Sequence, residues 1–155
     1  MTNGRPVNVL IVEDNPDDVE LAREYIKRTS IETRVEALDD GEKAIQLFDG
    51  LEAHSPAVPD FVLLDANMPK RRGREVLEAI RRHHNDVRVV MYSGSTSPDE
   101  MKSARDLGAD GYIVKPMFSN EMETVVSQLR EMLASVQRGE ARSGAWMHRR
   151  RSVSP

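Results

Sequence analysis

Five side chains able to do chemistry stand just past, or at the close of, short apolar runs. Glu13 and Asp14 follow Val9-Leu10-Ile11-Val12, and Asp65 follows Phe61-Val62-Leu63-Leu64. Ser93 comes after Val89-Val90-Met91-Tyr92, and Lys115 after Tyr112-Ile113-Val114. A carboxylate at the end of a buried strand is costly unless something there needs negative charge. Three clustered carboxyl groups suit a hard divalent cation, and Mg2+ is the expected one because it works with few protein carboxylates and keeps waters. A hydroxyl and a fixed ammonium facing a metal-bound carboxylate can hold phosphoryl oxygens. The chemistry this set suits is the carrying of a phosphoryl group on Asp65.

These side chains meet only if the apolar runs are strands of one open α/β sheet, where ligands bind outside the carboxyl ends at the point of strand-order reversal. Strand-like and helix-like segments alternate five times, the pattern of a parallel α/β sheet. Val7 to Val12, Thr33 to Leu38, Phe61 to Asp65, Val87 to Tyr92 and Gly111 to Val114 are the expected strands. Asn15-Pro16-Asp17-Asp18 opens the first helix, with Asn as N-cap, Pro at the first helical position and acids in the first turn. Its core-facing stripe is Val19, Ala22, Tyr25 (or Ile26) and Thr29. The second helix is expected from Asp40 to Glu52, with Ala44, Ile45, Leu47, Phe48 and Leu51 on its apolar side. The third lies within Gly73 to His84, with Val76, Leu77 and Ile80 on one face. Ser97-Pro98-Asp99-Glu100 opens the fourth, which ends near Leu107-Gly108. The fifth runs from about Asn120 to Ser135, its stripe being Met122, Val125, Val126, Leu129 and Leu133. Two prolines make His54 to Asp60 a loop.

The 155 residues allow one domain with a sizeable core. With no cysteine, disulfides and thiolate chemistry are excluded. The four His (His54, His83, His84, His148) show no ligand spacing and read as surface residues, and the eight Met read mostly as core. The apolar runs are strand-sized and the N-terminus lacks the apolar core of a signal peptide, so a cytoplasmic protein without a membrane span is expected. Net charge is −4, yet the stretch 137–155 holds five Arg against one Glu, which leaves the rest of the chain more acidic still. An acidic body argues against direct DNA binding.

Taken together, Glu13-Asp14, Asp65, Ser93 and Lys115-Pro116 resemble the receiver domain of two-component response regulators. Leu63-Leu64-Asp65-Ala66-Asn67-Met68-Pro69 followed by Gly73 is a close match to that family's phosphoacceptor region. The resemblance spans Asn8 to about Leu133 and rests on separated sites in the right order. It implies a flavodoxin-like, doubly wound α/β fold, with a five-stranded parallel sheet in the order 2-1-3-4-5 and five helices. It further implies that Asp65 accepts a phosphoryl group from a sensor histidine kinase or a small donor. Glu13, Asp14 and Asp65 hold Mg2+, with the backbone carbonyl of Asn67 as a further ligand. Lys115 contacts the phosphoryl oxygens, Ser93 moves to bond them, and Tyr112 is the aromatic switch that turns inward. Such a domain is no enzyme beyond Mg2+-dependent self-phosphorylation and autodephosphorylation. Gly94 leaves open space above the site, which favours hydrolysis. The alternative is a pseudo-receiver, an interaction module that is not phosphorylated.

The Pro69-Lys70-Arg71-Arg72-Gly73-Arg74-Glu75-Val76-Leu77 stretch, the longer loop before the third strand and the lack of an output domain resemble stand-alone receivers that partner with phytochrome-like kinases. Arg72 departs from that pattern, where Asp usually precedes Gly, and Lys70-Arg71-Arg72 makes the rim of the site basic. The expected division is a receiver domain over 6–136 and a basic, largely disordered tail over 137–155. Further partners are a downstream protein target or a phosphotransfer protein. A homodimer is expected through the face of the fourth helix, fifth strand and fifth helix, with Arg138 to Trp146 reaching towards the neighbouring copy.

Overall fold

The first strand, β1 (Val7–Val12), is buried at all but one position, as a near-continuous apolar run on a strand covered on both faces requires. It lies between β2 (Thr33–Leu38) and β3 (Phe61–Asp65), and the sheet continues through β4 (Arg88–Ser93) to β5 (Gly111–Val114). Every pairing is parallel and the order is β2-β1-β3-β4-β5. The order reverses between β1 and β3, the two strands that end in carboxylates. The computed structural model describes residues 5–68, 73–144 and 146.

Two layers cover the sheet. One core joins Val9, Ile11, Leu63 and Ile113 to α1 (Pro16–Arg28) and α5 (Met122–Gln137) through Tyr25, Ile26, Leu129 and Leu133. The other joins Leu10, Val12, Leu64, Met91 and Tyr112 to α2 (Gly41–Gly50), α3 (Gly73–His83) and α4 (Pro98–Asp106) through Phe48, Leu77, Ile80 and Ala104. This is the flavodoxin-like arrangement, in which a parallel sheet must be sheltered on both faces.

Local signals in the sequence set most boundaries. Asn15 caps α1 by accepting from the Asp17 amide, with Pro16 next; Asp40 caps α2 and Ser97 caps α4 in the same way. Gly108, with φ of 102°, ends the turn after α4. Several expectations move. The last helix begins at Met122, after a 3-10 turn over Ser119–Glu121, and runs on to Gln137. β4 is offset by one residue and includes Ser93. Leu47 is exposed, because α2 is short and its buried stripe narrows to Ala44 and Phe48. Met117 is 79% exposed and so is not core.

His84 is a correction of a different kind. It is buried, with Nε2 2.8 Å from the Phe48 carbonyl oxygen and its ring tilted against Phe48. The imidazole ties the end of α3 to α2, which a polar His-His-Asn-Asp stretch conceals. His54 and His83 are exposed, while His148 lies outside the described residues.

The start of the tail also departs from expectation. Instead of extending from α5, it turns under the amino ends of β4 and β5. Arg88 donates to the Glu140 carbonyl at 2.6 Å. Arg142 donates to Asp110 Oδ1 at 2.6 Å, to the Asn85 carbonyl at 2.8 Å and to the Gly108 carbonyl at 3.0 Å. Asp110 is shared with Arg81, which also donates to the Gly108, His84 and Val87 carbonyls. Burial, helped by the neighbouring Arg142, lowers the Arg81 pKa to about 10, with Asp110 opposing the fall. Trp146 packs, half-buried, against the core of the α2–α3–α4 layer. The physical reason is that Asp110 and two loop carbonyls offer acceptors for Arg142 within the same chain. Arg149 to Arg151 lie outside the described residues.

Arg142→Ala should lower the unfolding free energy by about 1–3 kcal/mol, the range for losing hydrogen bonds to a charged group. Urea denaturation should then show a lower midpoint with an unchanged slope; an unshifted midpoint means that the tail adds nothing to stability.

Candidate functional site at the carboxyl edge of the sheet

The strand register carries each predicted residue to the same edge. Val12 pairs with Leu64, so Glu13 and Asp14 emerge beside Asp65. Ser93 is opposite Val114, and the Lys115 amide donates to the Ser93 carbonyl at 2.7 Å, which extends that pairing by one residue. Carboxylate oxygens of Glu13, Asp14 and Asp65 all lie within 4.8 Å of one another. Glu13 and Asp65 are buried and Asp14 is exposed, which leaves the cluster open on one side.

Packing this much negative charge together has a visible consequence. Burial, joined by the adjacent Asp65, pushes the Glu13 carboxyl up to about 8, and Lys115 works against the rise. Lys115 Nζ lies 2.5 Å from Glu13 Oε1, 3.0 Å from Asp18 Oδ2 and 3.7 Å from Asp65 Oδ1. Burial alone pulls its ammonium down, yet its hydrogen bonds to Glu13 and Asp18 and the Asp65 charge outweigh that and hold its pKa above the ordinary lysine value. The Tyr92 ring centre lies 5.2 Å from Nζ, a cation–π contact on a further side. The hydroxyl of Tyr92 is itself harder to ionise than usual, because it is buried and has carboxylates near it. Oxygen donors alone, set close together and short of positive charge, fit a hard divalent cation.

Asp65 is held from its own backbone. Oδ1 accepts the Asn67 amide at 3.0 Å, and the Asn67 side chain donates to Ser93 Oγ at 3.4 Å. Ser93 is fully buried, and its hydroxyl also accepts the Ser95 amide at 3.1 Å. Tyr112 is buried too, and its hydroxyl donates to the Ser95 carbonyl at 3.1 Å. The aromatic ring is therefore already inward in this structure. Burial raises the Tyr112 pKa, while its hydrogen bonding to Ser93 and Ser95 lowers it in part. A groove of about 180 Å3 runs between α3 and α4 along Asn67, Leu77, Met91, Ala104 and Tyr112. A Cβ on Gly94 would meet nothing within 4 Å, so the space the sequence suggested is present.

Gly73 is the residue that lets α3 come so near. A Cβ there would stand 2.4 Å from the Asp65 carbonyl oxygen and 2.9 Å from Ala66 Cα. The residue of this edge that sequence reasoning missed is Asp18, which reads as an ordinary first-turn acid. Its signal was its place three positions after the Asn15 cap, one helical step round from Asp17. Lys70, Arg71 and Arg72, expected to make the rim basic, lie outside the described residues.

This geometry can be set beside known proteins. The response regulator receiver domain family matches the chain across residues 9–127. The chain belongs to that family. As a receiver domain of the two-component systems it is 31% identical over 128 residues to the probable methanogenesis regulatory protein FilR2 of Methanothrix harundinacea, covering 81% of this chain and 83% of that protein. It is 33% identical over 114 residues to the response regulator Rcp1 of Synechocystis, covering 71% of this chain and 77% of Rcp1. The Mn2+-bound form of Rcp1 superposes with a TM-score of 0.72 at 28% identity, over 83% of this receiver and 95% of Rcp1. The phosphorylated cyanobacterial phytochrome response regulator RcpA gives 0.65 at 29% identity, over 86% and 92%. Other relatives are longer, and this receiver spans 56% of a nitrate/nitrite response regulator of Escherichia coli. The resemblance to phytochrome-associated regulators read from the sequence thus holds. Among the described residues no helix is long and apolar enough to cross a membrane.

Gly73→Ala should cost about 1–3 kcal/mol through overpacking and shift the amide resonances of Asp65, Ala66 and Asn67. Gly50→Ala, where a Cβ meets nothing within 4 Å, should leave those resonances in place. Equal spectra for the two variants would remove the case for close approach at Gly73.

Proposed function

We propose that Asp65 is the phosphoacceptor of a phosphorelay, receiving a phosphoryl group from a sensor histidine kinase with Mg2+ bound by Glu13, Asp14, Asp65 and the backbone carbonyl of Asn67. The observation that carries this reading is the cluster of three carboxylates within 4.8 Å with one ammonium beside it. Phosphoryl transfer asks a protein mainly for positioning and charge stabilisation. A bound Mg2+ supplies neutralisation of the incoming phosphoryl oxygens. The Asn67 amide fixes the rotation of the Asp65 carboxylate at 3.0 Å, so one oxygen is presented to phosphorus. Lys115 lies within reach of any group added to Asp65. RcpA has been crystallised in a phosphorylated form and Rcp1 in a Mn2+-bound form, and their likeness to this chain supports both halves of the reading.

The response follows from the hydrogen bonds of the β4–α4 loop. Aspartyl phosphate adds about −1.5 to −2 charges and strong acceptor oxygens, which draw the Ser93 O–H as a donor, whereas its oxygen here accepts the Ser95 amide. Ser95 is also the acceptor for Tyr112, so a shift of Ser93 is passed to the ring and to α4. That helix buries Ala104 alone among its described residues, and so is the layer's most easily displaced element. Phosphorylation thereby biases two pre-existing states of the face made by α4, β5 and α5. That face is the surface proposed for a downstream target or for a second copy, now without the tail as its bridge. Asp65→Asn should abolish labelling by acetyl phosphate in millimolar Mg2+; labelling of the variant at the wild-type rate would move the phosphoacceptor off Asp65, and a wild type that takes no label would replace this reading with the pseudo-receiver one.

Beside the site, Met117 and Phe118 are 79% and 67% exposed on the loop after β5, and Leu21 is 44% exposed on α1. Large apolar groups next to a reacting centre suit a helical partner that must be held while the phosphoryl group passes. Phe118→Ala together with Met117→Ala should slow transfer from the cognate kinase about tenfold or more and leave acetyl phosphate labelling unchanged. An equal effect on both donors would place these residues in the chemistry and not in docking.

A further inference from the structure

Lys115 has three protons and three carboxylates around it, and they are not equivalent. Glu13 and Asp65 belong to the group able to hold a cation; Asp18 does not. Asp18 is also set apart by origin. Asn15 caps α1 and Pro16 opens it, so these local signals place Asp18 at the third helical position, and that position faces Lys115. Asp17, one residue earlier, is exposed, and its amide closes the cap on Asn15.

We propose that Asp18 is a positioning residue that holds the Lys115 ammonium at the site independently of Glu13 and Asp65. The argument is one of competition for charge. A lysine tied only to Glu13 and Asp65 would lose its partners whenever those carboxylates turned to a divalent cation, and the cation would repel the ammonium in addition. Asp18, 3.0 Å from Nζ and outside the group of possible metal ligands, keeps its charge for Lys115. The ammonium then stays near Asp65, free to turn its remaining protons to a new acceptor there. Charge-assisted contacts of this kind are short and strong enough to orient a flexible four-carbon stem. The inference rests on the phosphoacceptor reading for its consequence in transfer, but not for the contact itself.

Two measurements test it. The first is the reactivity of Lys115 towards trace acetic anhydride, read by mass spectrometry on the full chain with and without Mg2+. Asp18→Asn should raise that reactivity about fivefold in both conditions, with Asp17→Asn like wild type. The second is the rate of Asp65 labelling by acetyl phosphate at saturating Mg2+. Asp18→Asn should lower it about five- to tenfold, and in a Lys115→Met background it should lower it by less than about twofold. Unchanged Lys115 reactivity overturns the proposal, as does a full additional loss in the Lys115→Met background, which would mean that Asp18 acts through α1 or the metal. If wild type itself takes no label, the phosphoacceptor reading fails while the Lys115 reactivity still decides the role of Asp18.

Discussion

The gathering of Glu13, Asp14 and Asp65 at one edge of the sheet, two of them buried, is the constraint that organises this molecule. Taking a carboxyl out of water beside another carboxyl disfavours its charged form, and burial first, with Asp65 next to it, raises Glu13 in this way. The ammonium of Lys115 answers part of it, from the end of a strand two places away from β3 in the sheet. For those groups to meet at all, β1 and β3 must be neighbours, and β5 must continue its pairing with β4 as far as Lys115. The apolar layers on both faces of the sheet supply the stability against which this local cost is set.

The molecule is held unevenly along the strand direction. At the amino edge, Arg81 and Arg142 share Asp110 and draw the end of α3, the turn after α4 and the first part of the tail into one hydrogen-bonded knot. At the carboxyl edge, the connections run largely through hydroxyls: Asn67 to Ser93, Ser93 to Ser95, Ser95 to Tyr112. Hydroxyl contacts exchange partners at little cost, since the O–H rotates to suit. The carboxyl edge, where α4 buries only Ala104, is therefore the less anchored of the two. Local differences of this kind are how one domain combines a stable core with a movable face.

The strands and the carboxylates at their ends were legible in the sequence because both follow from local rules. A run such as Phe61 to Leu64, bounded by turn residues and followed by a further βα alternation, fits a strand covered on both faces, and a carboxylate after it needs a reason. Helix caps at Asn15, Asp40 and Ser97 were readable for the same cause, since a cap is settled within four residues. Boundaries such as the start of α5 moved because Ser119–Glu121 forms a 3-10 turn whose hydrogen bonds differ from an α-helix by one residue only.

What the sequence could not decide were contacts whose partners are far apart in the chain. Asp18 looks like any first-turn acid until β5 brings Lys115 to it, 97 residues later. His84 looks like a surface residue until α2 offers the Phe48 carbonyl. Arg142 belongs to a polar, Arg-rich tail by composition, yet Asp110 and the Gly108 and Asn85 carbonyls bind it under the sheet. Strand, cap and acid at a strand end depend on neighbours in sequence and were determined there. Which carboxylate holds which cation depends on distances of a few ångströms across the fold, because charge interactions fall with separation in space and take no account of separation along the chain.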